Sequence, residues 1–202
     1  MIPPAQPDIP DVVIVHGWHG SPPGHWQHWL ASSLAAAGHR VHFPILPNPT
    51  HPSLPDWLAA LHDALNPIAA PPIVVCHSLG TILWLHYLHN HPDTRTHKLV
   101  LVAPPSIDAA PPPIQSFFPV PLNPLALHRS SPDALLVCSA ADPFCPSGAA
   151  STYGAPLRLQ THLLPNEAAH INLDSGFGPW PWLANRIATP IPLVPVAQSA
   201  LG

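Results

Sequence analysis

Apolar residues fall along this chain in two alternating rhythms. Six short stretches, residues 12–16, 40–45, 72–76, 98–103, 134–139 and 157–164, are rich in valine, isoleucine and leucine. Several are apolar at successive positions rather than at every second one. That pattern predicts strands covered on both faces, as in a parallel sheet. Between them the apolar spacing turns helical. After Gly24, residues Trp26, Trp29, Leu30, Ser33, Leu34 and Ala37 share one face, and Gly38 supplies a stop. A second helix puts Leu54, Trp57, Leu58, Leu61 and Leu65 together, bounded by Pro67. A third starts at Ser78 and runs to about Asn90, apolar almost all round through Tyr87, as befits a central buried helix. A short last helix is expected at residues 182–187. Strands alternating with helices predict an α/β fold: a three-layer α/β/α sandwich around a mostly parallel sheet of about six strands.

One stretch breaks the rhythm. Residues 104–132 are rich in proline and carry Ile114, Phe117, Phe118, Leu122, Leu125 and Leu127. So long a connection reads either as a lid or substrate loop or as a stiff surface loop. With no internal repeat, residues 1–188 are expected to form one domain. The proline-rich tail at 189–202 is expected to be poorly ordered.

Composition narrows the function. Charged residues are only 8% of the 202, the formal net charge is -4, and no basic run occurs, so neither nucleic acid nor an anionic membrane surface is an expected partner. The 33 prolines approach the range that warns of disorder, but 47% hydrophobic content and regular periodicity argue against it. Cys76, Cys138 and Cys145 are odd in number and lack Cys-x-x-Cys spacing, which reads as buried thiols in a reducing compartment. No signal peptide pattern and no apolar run long enough for a membrane span are evident, so a cytoplasmic location is expected.

The candidate chemistry begins at Ile73-Val74-Val75-Cys76-His77-Ser78-Leu79-Gly80. A β-branched run enters Ser78 and a helix leaves it, the strand–turn–helix context of a nucleophile elbow. A serine nucleophile needs a base and an acid to orient that base. Asp142 follows the fifth expected strand and His170 the sixth, so the chain order is Ser, Asp, His. Each residue also has a plainer role: Ser78 as a helix N-cap, Asp142 as the start of an Asp-Pro turn, and His170 as one of 16 histidines. Order and placement together favour the catalytic reading. Asp108, after the fourth strand, is the second choice of acid. Asp133 precedes its strand and Asp174 lies on the wrong side of His170. Backbone amides of Leu79 and Trp18 are the expected oxyanion hole. Trp18, Phe117, Phe118 and Phe144 are the expected apolar pocket residues, and no acidic or arginine cluster marks a charged substrate.

These residues resemble the α/β-hydrolase superfamily. More specifically, the chain is similar to the small serine hydrolases related to the retinoblastoma-binding serine hydrolase, in their bacterial form. The likeness rests on His16-Gly17-Trp18-His19-Gly20-Ser21 with His25-Trp26-Gln27-His28-Trp29, on His77-Ser78-Leu79-Gly80, and on the stretch from His170-Ile171-Asn172 to Trp180-Pro181. It implies a compact sheet without a large cap domain, no cofactor, and Ser78, Asp142 and His170 as the triad. Cys76 departs from the superfamily pattern, standing where the elbow carries its first glycine. The expected activity is hydrolysis of small or medium acyl esters through an acyl-enzyme; no metal is expected. Two further readings remain open: a binding protein on the same fold, and a hydrolase of amides or thioesters.

Overall fold

The computed structural model describes residues 9–108 and 110–188; the tail at 189–202 lies outside them. Six strands form one sheet: β1 (Val12–Val15), β2 (Val41–His42), β3 (Ile73–His77), β4 (Lys98–Val102), β5 (Ala134–Ser139) and β6 (Gln160–Leu164). Their order is β2-β1-β3-β4-β5-β6 and every pairing is parallel. The helices are α1 (Trp26–Ala36), α2 (Leu54–Leu65), α3 (Leu79–Asn90), α4 (Pro124–Ser130), α5 (Ala155–Leu157) and α6 (Pro181–Ala188).

Side-chain alternation along the strands makes the three layers. Val13, Val15, Val74, Cys76, Leu99 and Leu101 point to one face and pack with Trp57, Leu61, Leu83 and Leu127. That face is covered by α2, α3 and α4. Val12, Ile14, Val75, Val100 and Val137 point the other way and meet Trp26, Leu30, Leu183 and Ile187 of α1 and α6. Both faces are buried, which is why the strands read as continuous apolar runs. Near the end of α6, the Lys98 ammonium donates to the carbonyls of Arg186 (2.8 Å) and Ile187 (3.3 Å), satisfying acceptors a helix end leaves unpaired.

Three expectations need correction. The edge strand at 40–45 shrinks to Val41–His42, which pairs with β1 alone. The run at 157–164 starts as a helix end: Leu157 closes α5, Arg158 turns with φ 54°, and β6 begins at Gln160. The segment at 104–132, expected as a lid or substrate loop or as a stiff surface loop, carries helical elements of its own. It holds a 3-10 turn, Pro112–Phe117, and then α4, which Asn123 caps by accepting from the Ala126 amide at 3.0 Å. Ile114, Phe117 and Leu127 go into the core.

Strand order also fixes where a ligand can sit. Successive crossovers run to opposite sides of β1, so the order reverses between β1 and β3. Open α/β sheets bind ligands beyond the carboxyl ends of such a pair.

Candidate active site

β3 ends at His77 and α3 begins at Leu79, leaving Ser78 alone to make the turn. Its backbone is strained, φ 51° and ψ −125°, a conformation that persists only where surroundings over-determine it. The Ser78 N–H donates to the Val102 carbonyl at 2.9 Å, while the Ser78 carbonyl accepts from the Thr81 amide (2.9 Å) and hydroxyl (2.6 Å). The crowding explains the glycines. A Cβ at Gly80 would lie 2.5 Å from the His16 carbonyl oxygen, and one at Gly17 would lie 2.7 Å from Ser78 Cβ. Cys76, in place of the usual glycine, is accommodated because its side chain enters the core away from the turn. Complete burial pushes its thiol well above the ordinary range, so it stays protonated and inert.

His170 and Asp142 reach this turn from the loops after β6 and β5. The Ser78 hydroxyl lies 2.9 Å from His170 Nε2. On the other side of the ring, Nδ1 lies 2.8 Å from Asp142 Oδ2 and 2.9 Å from Oδ1. Asp142 is buried, and its Oδ1 also accepts from the Phe144 amide at 2.9 Å. With Nδ1–H given to the carboxylate, the neutral imidazole presents its Nε2 lone pair to the serine O–H. Asp108 is exposed and bonds within its own loop to Ser106, at 3.2 and 3.4 Å. Asp133 lies 3.7 Å from Lys98, beside the start of β4.

The His170 turn is itself strained: Ala169 and Ile171 have φ of 42° and 52°. Three contacts hold it. Trp26 Nε1 donates to the Ile171 carbonyl at 2.8 Å, the Ile171 amide donates to Ala168 at 2.7 Å, and His77 Nε2 donates to the His170 carbonyl at 3.1 Å. Downstream, Asn172 and Ser175 form a reciprocal capping box, and Trp180 packs edge-on to Trp26. The Asn, Ser and Trp spaced along the chain after His170 are therefore scaffolding that carries the turn back onto α1.

Three more buried histidines surround the centre, and sequence reading gave them no part in the triad. His77 and His25 have ring centroids 5.1 Å apart, and His77 is 5.2 Å from His170. Burial, then repulsion from His170 and His25, holds His77 well below its ordinary value. His25 falls to about 4 through burial and through repulsion from His28 and His170. His16 is also lowered, by burial. All three are neutral at pH 7 and act as hydrogen-bonding wedges: His25 Nδ1 accepts the Gln27 amide that opens α1 (3.3 Å), and His16 Nδ1 donates to the Gly17 carbonyl (2.8 Å). The elbow's His-Ser pair was the available signal.

Above Ser78 and His170 opens a cavity of about 840 Å³, within the range of roughly 300–1,000 Å³ usual for small-molecule sites. Trp18, Leu79, Ile114, Phe144 and Leu173 with five prolines supply apolar wall. Phe144 and Trp18 are among the residues that line the cavity. Phe117 is not: it is fully buried, packed edge-on against Trp57 with centroids 5.2 Å apart. Phe118 packs against the same core, and Ile114 represents this segment in the cavity instead. The reason is helical phase, since the 3-10 turn aims Phe117 inward. Two acidic residues also line the cavity, Asp108 and Asp174, 66 residues apart, and among the described residues no lysine or arginine does. Among the described residues no cluster of three or more His, Cys, Asp or Glu side chains is arranged to hold a metal, and no helix is long and apolar enough to cross a membrane.

The serine hydrolase family profile matches residues 12–189, and the chain belongs to that family. The Bacillus subtilis protein YdeN is 35% identical over 79 residues, which are 39% of this chain and 42% of YdeN, so that alignment spans less than half of the relative. The crystal structure of the B. subtilis ydeN gene product superposes with a TM-score of 0.76 at 22% identity, over 89% of this chain and 97% of that one. A YdeN-like protein from Pectobacterium atrosepticum gives 0.72 at 23%, over 88% of each chain. Naproxen esterase from B. subtilis gives 0.61 at 13%, over 90% of this chain and 83% of the esterase. At such identities these likenesses establish a shared α/β-hydrolase fold.

Proposed function

We propose that this member of the serine hydrolase family cleaves small or medium acyl esters, with Ser78 as nucleophile, His170 as base and Asp142 as orienting acid. The observation that carries this reading is the unbroken line Ser78 Oγ–His170 Nε2 and His170 Nδ1–Asp142 at the floor of the apolar cavity. His170 takes the Ser78 proton as the hydroxyl attacks the ester carbonyl. Asp142 keeps the productive tautomer and stabilises the imidazolium. The imidazolium then protonates the departing alkoxide, and water repeats the cycle on the acyl-enzyme, returning free acid and Ser78.

Leu79 and Trp18 amides receive the oxyanion. Leu79 opens α3, whose first N–H groups have no carbonyl partner within the helix. Gly17 lies close enough to Ser78 that a Cβ there would be 3.2 Å from the serine Oγ, which brings the following Trp18 peptide beside the reacting centre. Asp108 and Asp174 without a balancing cation favour neutral or cationic esters over those bearing a free carboxylate.

Turnover of short-chain p-nitrophenyl esters with fluorophosphonate labelling tests this reading. Wild type turns over and labels; Ser78→Ala loses labelling, and its kcat falls by roughly 10⁴-fold or more. A succinate half-ester reacts more slowly than its neutral isostere. Wild type that neither turns over nor labels, or a Ser78→Ala protein that still does both, leads instead to a binding role for the cavity.

A further inference from the structure

Phe144 is half exposed, yet it sits at the centre of the site. Its ring centroid is 4.4 Å from that of His170, with the planes tilted by 49°. Its backbone is held from both sides: the amide donates to Asp142 Oδ1 at 2.9 Å, and the carbonyl accepts from the Ser106 amide at 2.7 Å. A side chain so exposed gains little by burial, and its main chain is tied to the very carboxylate that faces His170. We propose that Phe144 is a positioning residue for His170 whose ring stabilises the imidazolium formed when His170 accepts the Ser78 proton.

This role rests on the triad reading and on charge. A cation over the face of an aromatic ring, within about 6 Å of its centroid, is attracted through the ring quadrupole, and the 4.4 Å centroid separation lies within that reach. His170 alternates between neutral and cationic during the proposed reaction, so an attraction felt only by the cation lowers the barrier differentially. The other groups facing His170 are Asp142, which favours the cation, and His77 and His25, which are neutral and would repel it if charged. On the cavity side Asp108 and Asp174 line the same space, and Phe144 is the aromatic ring packed closest to the imidazole.

Two roles of the ring make opposite predictions. If Phe144 merely keeps water away, its removal lets water reach the imidazolium, and the ring takes up a proton more easily. If the ring attracts the cation, its removal makes protonation harder. The experiment is an NMR titration of the His170 ring in wild type, Phe144→Leu and Phe144→Trp, with kcat/KM–pH profiles of the same proteins on a neutral p-nitrophenyl ester. The proposal expects the His170 midpoint and the acid limb of the profile to move down by about half a pH unit in Phe144→Leu, with plateau kcat/KM about threefold lower. Phe144→Trp restores both. A midpoint that stays or moves upward in Phe144→Leu overturns the proposal. The NMR arm reads it without turnover, so failure of the ester-hydrolase reading shows separately, as a wild type without activity.

Discussion

The two sides of the His170 imidazole are built on different principles. Toward the sheet it meets buried, neutral, hydrogen-bonded groups: His77 on its own carbonyl, Trp26 on the next one, and His25 behind His77. Toward the cavity it meets one half-exposed phenyl ring among prolines. The interior side sets geometry, because its buried polar groups hold the His170 turn through specific hydrogen bonds. The cavity side offers shape and polarisability, to the imidazolium as well as to whatever enters. Substitutions on the interior side should therefore act strongly on kcat and on the fold, and those on the cavity side more weakly, on the imidazolium and on selectivity.

The strongest way to test the interior side is Asp142→Asn. It keeps the shape but disturbs the tautomer, and kcat for a p-nitrophenyl ester should fall about 10³–10⁴-fold with KM little changed; a loss under tenfold would shift the orienting role to another group. Less drastic is His77→Leu, which removes the donor to the His170 carbonyl and leaves the strained turn held by Trp26 and by the Ile171–Ala168 hydrogen bond. A displacement of the order of 1 Å costs about a hundredfold, so steady-state kinetics should show kcat down roughly 10–100-fold, with His77→Gln partly restoring it. If His77→Leu matches wild type, the turn is fixed by Trp26 and the Ile171–Ala168 hydrogen bond without it.

A smaller effect comes from acid. In the unfolded chain the histidines take protons near pH 6.5, whereas folded His25 does so only at about 4 and folded His77 well below its ordinary value. The unfolded state thus binds more protons across that window, and stability falls as pH drops through it. Calorimetry should find Tm clearly lower at pH 5 than at pH 7.5, with a shallower dependence in His25→Gln. An unchanged slope in that variant would remove His25 from the account.

Much of this architecture is legible in the residues alone. The apolar runs mark the four central strands because burial on both faces leaves little room for polar residues, whereas the edge strands β2 and β6 are only partly covered and carry His42, Gln160, Thr161 and His162. Ser78, Asp142 and His170 stand out because each follows a strand and the turn chemistry around it is local. Another feature was missed although a signal existed: Asn123-Pro124 is a helix start, with asparagine as cap and proline in the first turn. Phe117 was misplaced because its direction depends on the phase of a 3-10 turn, which a proline-rich segment does not reveal.

What the chain determined by itself is what neighbours along it decide: strand and helix content and the strand–turn–helix elbow at Ser78. Only the tertiary structure decided which distant groups share a space. The reversal between β1 and β3 sets Gly17 against Ser78, the His170 turn is closed by Trp26 from 145 residues away, and Asp108 and Asp174 meet one cavity. Periodicity reports which face of an element is buried, but packing the elements against one another sets the ångström distances on which proton transfer and charge recognition depend.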